Sequence, residues 1–512
     1  MGGRAWSATA ANALEPSPDA AAQIGEEVSN FVTGFLASRE DARVTSPARG
    51  EEGRLVGAAF PPERGSGFAD ALESFRSAAG VGLDVTAPGF LAFVPGGSQY
   101  LSAVATLLAS LVNPFVGQPH AAPEMVEIES SVLRWMCEEF GLPEQTSMGV
   151  FTSGGSLSAL TMLIAVRETR LDGDTSRACL YASCDTHGSL AKAARAAGFS
   201  PDLVRLLPVT PERRLDTEAL AEQVAADRRA GLTPLLVAAN AGTTSTGAVD
   251  PLPAIARLAR REGLWMHVDG CYGGMFHLTA RGRRILHGIG AADSIAIDPH
   301  KGLFAPFGCG ALLVRDGSNL RAAFGSQLDD PYLQDHPPAP EGLPDFSEHS
   351  LELSRPFRGL AVWLPLQAHG VGAFRAALDE KLDLAASLAR GLKSIPGIEA
   401  ACPVDLSVVT FRPSLTGGLT AEQADDLGRR LLERVNASGR VYLSHTVIEG
   451  RYALRACVLN HRTHGRQIDE ALRLIAEHAA ALGLGTATAA GRRFTRAPVD
   501  GGRQQRPVCP TP

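Results

Sequence analysis

The sequence has no CxxC pair, no His/Cys ligand spacing and no run near the roughly 20 apolar residues that span a membrane. Its eight cysteines are scattered, at 137, 179, 184, 271, 309, 402, 457 and 509. That argues against a disulfide framework and a structural zinc site, and for reduced thiols in a cytoplasmic protein. With 48 Lys+Arg against 55 Asp+Glu the net charge is −7, so the basic excess that would make nucleic acid or an anionic membrane the main partner is missing. The opening stretch, MGGRAWSATAANALEPSPDAAA, lacks the apolar centre of a signal peptide. What remains is ordinary globular composition, 45% hydrophobic and 20% charged, in a chain of 512 residues, enough for two or three domains.

Residues 1–20 and 486–512 read as disordered tails, rich in small and polar residues without apolar period. The stretch 21–95 reads as mostly helical with Gly/Pro breaks, followed by two apolar helical patterns around 99–112 and 122–140. From 148 to 315, short apolar runs alternate with helical segments. Strands are expected at Met148–Thr152, Ala178–Ser183, Leu203–Leu207, Pro234–Asn240, Leu264–Asp269, Ser294–Ile297 and Gly310–Arg315, with helices such as Asp216–Arg229 and Leu252–Arg261 between them. Continuous apolar strands separated by helices indicate an α/β domain with a mostly parallel sheet covered on both faces. This large domain spans 96–370, and 371–485 forms a smaller α+β domain. In it a helix at about 371–394 precedes strands near 406–412 and 453–459 and helices around 420–436 and 466–482.

Ligands of doubly wound sheets bind beyond the carboxyl ends of the strands, and unusual polar groups gather there. Ser153-Gly154-Gly155-Ser156 opens a helix, where close backbone approach and free N–H groups suit a phosphate, although a tight capped turn has the same composition. His187 follows the second strand and Thr244 the fourth; a capping histidine and a polar turn are the plainer readings. Asp269 ends the fifth strand ahead of Gly270-Cys271-Tyr272-Gly273-Gly274. The sixth runs into Asp298-Pro299-His300-Lys301-Gly302, a His-Lys pair flanked by proline and glycine. Pyridoxal 5′-phosphate (PLP) chemistry requires such a set: a lysine for the Schiff base, a carboxylate for the pyridine nitrogen, an anion site and a flat stacking group.

Over roughly residues 70–480 the sequence resembles the group II PLP-dependent amino-acid decarboxylases of fold type I, which include the aromatic-L-amino-acid and glutamate enzymes. The stretch 240–315 carries most of the likeness, and the 32 residues from Asp269 to Lys301 match the family's spacing. The resemblance implies a seven-stranded, mostly parallel sheet and a homodimer in which 21–95 wraps the partner. It implies Lys301 as the Schiff-base lysine, Asp269 as the pyridinium partner, His187 stacked on the ring, and Tyr332 as the loop residue that protonates the carbanion. Gly155, Ser156, Thr244, Cys271, Asp298 and His300 fall at cofactor-binding positions, and Arg355 matches an arginine of an RxFR-like segment. Several residues depart from the family's pattern: Asp298 where many members have Asn, Gly302 in place of Trp, Cys271 in place of Ala, Leu157-Ser158-Ala159 after the phosphate loop, and the pocket segment Phe93-Val94-Pro95-Gly96-Gly97, with fewer bulky groups than aromatic-specific members show. The implied activity is decarboxylation of an L-amino acid to the amine, an aromatic or other hydrophobic substrate coming first and an acidic one second. The alternatives are an oxygen-dependent aldehyde synthase on the same fold and a degenerate structural or regulatory relative.

Overall fold

A computed structural model describes residues 14–45, 62–325, 340, 342–415 and 418–485. Seven strands form the central sheet: β1 (Met148–Thr152), β2 (Ala178–Ser183), β3 (Val204–Leu207), β4 (Thr233–Asn240), β5 (Trp265–Asp269), β6 (Ser294–Ile297) and β7 (Gly310–Val314). Their order is β1-β7-β6-β5-β4-β2-β3. All are parallel except β7, which runs against both β1 and β6. Every residue of β2, β6 and β7 is buried, so these strands carry continuous apolar runs without alternation.

The helices between strands obey local rules. Asp216 caps Thr217–Arg229 by accepting from the N–H groups of Glu218 and Ala219 at 2.9 and 3.1 Å. Gly263, at φ 72°, ends Leu252–Glu262 in the left-handed conformation and turns the chain into β5. The long helical stretch Leu360–Lys393 begins earlier than the expected 371, and Gly370 breaks it (φ 73°, ψ 154°). Beyond it lies a four-stranded antiparallel sheet in the order β10-β11-β9-β8, of strands β8 (Ile398–Ala400), β9 (Val408–Pro413), β10 (Ser444–Ile448) and β11 (Arg451–Cys457). The helices Ala421–Ala437 and Gly465–Ala481 share a second hydrophobic core with this sheet, including Phe411, Leu431, Leu454 and Ile475.

At the N-terminal end, Ser17 caps the helix Pro18–Ala37, so helix begins inside the stretch expected to be a tail. A second helix, Phe68–Ala79, touches it through Phe31 and Phe75, with ring centroids 5.8 Å apart. Neither helix buries a single residue. From 80 to 99 the chain runs without helix, against the helical expectation, and then enters Tyr100–Val112 and Pro123–Glu139. Residues 486–512 lie outside the described residues. Among those described, no helix is long and apolar enough to cross a membrane.

Candidate active site

The carboxyl ends of β1, β4, β5 and β6 converge on one cavity of about 250 Å³. Below it, the turn from β1 into the helix Gly155–Leu171 forms a cradle. Gly154 sits at φ 148°, and its N–H donates to Thr152 Oγ1 at 3.2 Å. The cradle is packed so closely that a Cβ on Gly155 would lie 2.4 Å from Cys271 Sγ. A Cβ on Gly310, the first residue of β7, would lie 2.4 Å from Gly154 Cα. The first-turn N–H groups of a helix have no partner within it, and here they open onto the cavity.

Across the cradle, Ile297 leads into Asp298. This carboxylate is 1% exposed, and its Oδ2 lies 2.8 Å from Lys301 Nζ and 3.6 Å from His300 Nε2. Its Oδ1 is buried without a hydrogen-bond partner. Burial opposes the charge on Lys301, but its neighbours, Asp298 first and Cys271 and Asp269 behind it, together outweigh burial and hold the ammonium well above its ordinary range. Burial pushes His300 down, which favours the neutral ring. Its Nδ1 lies 2.7 Å from the Cys309 carbonyl, an acceptor only, so Nδ1 carries the proton and Nε2 is bare toward Asp298.

Asp269 pairs in register with Asn240 on one side and Ala296 on the other, which sets its carboxylate at the centre of the strand ends. Its Oδ1 accepts the Cys271 N–H at 3.1 Å. Burial, first, and then the nearby Asp269 and Asp298 carboxylates push the Cys271 thiol far up, so it stays protonated. His187 stands on the exposed rim, where its Nδ1 accepts the Ser189 N–H at 3.3 Å; neutral, this ring carries its proton on Nε2. Gly155, Ser156 and Thr244 also line the cavity, so nine of the ten residues expected from sequence face one space. The tenth, Tyr332, lies outside the described residues.

A second cavity, of about 370 Å³, adjoins the first and shares His187, Thr244, His300 and Lys301 with it. Phe90, Phe93, Val94, Pro95 and Phe307 supply its apolar wall. Phe93 holds φ at 52°, a strained value for an aromatic residue, and its carbonyl is fixed by Arg455 Nη1 at 2.6 Å. Arg455 Nε also donates to the Thr244 carbonyl at 2.8 Å.

Sequence reasoning missed three contributors. Arg455 lies in the other sheet, 211 residues from Thr244 and 362 from Phe93. Asn240 lines the cavity and is held by Asp250, whose Oδ2 accepts both its backbone N–H and its Nδ2. The bridge between Ala241 and Val249, which closes the intervening turn, is the only local signal for that pair. Arg355 proves to be buried away from the cavity's chemistry, where it forms an ion pair with Glu129 and donates to the Phe151 carbonyl at 3.3 Å.

These residues fit PLP. A lysine and a carboxylate face each other across adjacent strand ends, a glycine cradle sits at a helix N-terminus, and an imidazole stands on the rim. The chain matches the family model described as the pyridoxal-dependent decarboxylase conserved domain over residues 62–414. It is 36% identical over 376 residues to an aromatic-L-amino-acid decarboxylase of Bacillus atrophaeus, covering 73% of this chain and 78% of that protein. It is 30% identical over 410 residues to a phenylacetaldehyde synthase of Petunia hybrida, covering 77% and 80%. The crystal structure of Oryza sativa TDC with PLP and tryptamine matches with a TM-score of 0.86 at 29% identity, covering 91% of this chain and 99% of that one. Fold and site together define a PLP-dependent carboxy-lyase. The chain belongs to the pyridoxal-dependent decarboxylase family, whose reaction converts an L-amino acid to its amine and carbon dioxide.

Proposed function

We propose that this decarboxylase acts on an aromatic L-amino acid. The observation that carries the reading is the second cavity. Its wall is built from Phe90, Phe93, Val94, Pro95 and Phe307, it opens onto Lys301, and its described lining holds no ammonium or guanidinium besides Lys301. An acidic side chain would be left there without a countercharge, which costs far more than an aromatic ring gains by burial. The aromatic-amino-acid relative supports the same choice.

In this reading Lys301 Nζ supplies the amine that carries the cofactor. The N–H groups of Gly155 and Ser156 hold its phosphate, and Asp269 keeps a proton on the ring nitrogen. His187 gives the flat group that stacks on the ring, and Thr244 lines the boundary between cofactor and substrate spaces. When bound, PLP supplies the electron sink for the pair left behind as the α-carboxylate departs as carbon dioxide. Phe90, Phe93 and Phe307 give the substrate side of the cavity its apolar surface. Tyr332 delivers the proton that completes the amine, so the chain makes amine and not aldehyde.

The same reading includes a homodimer. The helices Pro18–Ala37 and Phe68–Ala79 bury nothing within the protomer, and Leu107, Leu111 and Val112 expose an apolar face on Tyr100–Val112, with Leu111 78% exposed. A fully active, monodisperse monomer by sedimentation would contradict it. Substrate choice is tested by carbon dioxide release from each proteinogenic amino acid. Tryptophan, tyrosine or phenylalanine is expected to exceed aspartate and glutamate by at least about 100-fold in kcat/KM. Equal or greater turnover of the acidic pair would overturn the aromatic assignment.

A further inference from the structure

The phosphate cradle contains a negative group where a phosphate would meet repulsion. A Cβ built on Gly155 would lie 3.5 Å from Asp298 Oδ2, and one on Gly154 would lie 3.9 Å from Asp298 Oδ1, so this carboxylate borders the cradle directly. Its Oδ1 has no donor, and among the described residues the only ammonium or guanidinium lining the cavity is that of Lys301. Lys301 is committed elsewhere once its nitrogen carries the cofactor, and Asp298 then loses its 2.8 Å partner. His300 Nε2 lies 3.6 Å from Asp298 Oδ2, beyond hydrogen-bond distance, and does not reach Oδ1. The other groups around Asp298 are Asp269 and Cys271 on the β5 side and Cys309 on the β7 side, with only Ser156 contributing a polar side chain from the cradle helix. Of these, Asp269 is matched by the ring nitrogen on which it keeps a proton, and both thiols are held protonated by burial, so none of them is a cation for Asp298.

We propose that the cradle takes the cofactor's phosphate in its singly protonated form, with the P–OH donating to Asp298 Oδ1. A dianion would face Asp298 at close range with no arginine or free lysine in the described lining to offset it, whereas the monoanion supplies the one donor that Oδ1 lacks. Backbone N–H groups at the helix N-terminus still satisfy the remaining phosphate oxygens. Where an asparagine stands in place of Asp298, its amide donates and the dianion is accepted, so the aspartate makes cofactor loading cost a proton. The phosphate of a free ester loses that proton near pH 6. Retention of the cofactor therefore weakens as pH rises.

This inference rests on the PLP reading, and the experiment separates the two. Borohydride reduction followed by peptide mapping must first find the cofactor on Lys301; its absence would overturn the cofactor reading and this inference with it. Phosphorus-31 NMR of the full-length holoenzyme then reports the ionisation of the bound phosphate. The expected resonance stays at the monoanion position from pH 6 to 8 in wild type, and at the dianion position in Asp298→Asn. A wild-type signal at the dianion position across that range overturns the proposal, with or without a stable variant.

Discussion

Glu129 and Arg355 are both fully buried, and the consequences of separating them follow from their contacts. Glu129 Oε1 accepts from Arg355 Nη1, while its Oε2 accepts the Gly359 N–H at 2.9 Å. Arg355 Nη2 donates to the carbonyl of Phe151, the residue before Thr152, and the guanidinium lies 4.8 Å from the Phe346 ring centroid. Glu129→Leu leaves a desolvated guanidinium without its countercharge, and Arg355→Met leaves a desolvated carboxylate. Each loss costs about 3–5 kcal/mol. The double variant Glu129→Leu/Arg355→Met buries no charge and should cost no more than either single variant, giving a coupling of at least about 3 kcal/mol. The assay is equilibrium urea unfolding with PLP saturating and two probes required to coincide. Because Phe151 leads into the cradle, the single variants should also bind PLP more weakly. Single variants within about 1 kcal/mol of wild type, or strictly additive losses in the double, would refute the reasoning.

Lys301→Ala should abolish turnover, and Asp269→Ala should lose several orders of magnitude in kcat, each tenfold being about 1.4 kcal/mol of barrier. Carbon dioxide release at near wild-type rate by Asp269→Ala would disprove its role at the ring nitrogen. His267 is buried against Ser294, and burial pushes its pKa down to about 4 from an ordinary 6.5. The unfolded chain therefore binds the extra proton between those values, so His267 costs stability as pH falls through this window and nothing above it. From pH 7.5 to 5 that amounts to about 2 kcal/mol, and the acid-induced loss in urea unfolding should shrink by that amount in His267→Gln. Tyr332→Phe should let dioxygen compete for the stranded carbanion, giving aldehyde and peroxide in air but not under nitrogen. Unchanged amine yield and rate in both would remove Tyr332 from proton delivery.

The sheet was legible because its strands are buried on both faces. Met148–Thr152, Ala178–Ser183 and Ser294–Ile297 read directly as apolar runs, and each motif at their ends lies where the runs stop. Burial carries no sign of direction, so the antiparallel course of β7 was not readable from the same pattern. β10 escaped notice because one face is exposed, with Val447 61% exposed, and β8 because three residues show no period. The start of the helix at Leu360 was obscured by Pro365 and by the break at Gly370. In the site, the residues that touch the cofactor space stand in motifs, whereas those that hold them do not. Glu129 and Arg455 act through contacts more than 200 residues away, and Asp250 acts across a ten-residue turn; nothing in their local sequence differs from an ordinary helix, strand or loop.

The hold of Arg455 on Phe93 also has a temporal side. The two residues are 362 apart in the chain, and Thr244 and Arg455 are 211 apart. At about 5–20 residues per second, a ribosome needs roughly 20–70 s to travel from the first to the last. During that interval the nascent chain gains β1, the cradle, Asp269 and Lys301, everything that faces the cofactor space from the central sheet. The wall at Phe93 is still unpinned, because the strand that fixes it has not been made. Cofactor capture can thus precede the substrate cavity during synthesis. A chain that stops short of residue 455 keeps the lysine and loses the fixed wall beside it.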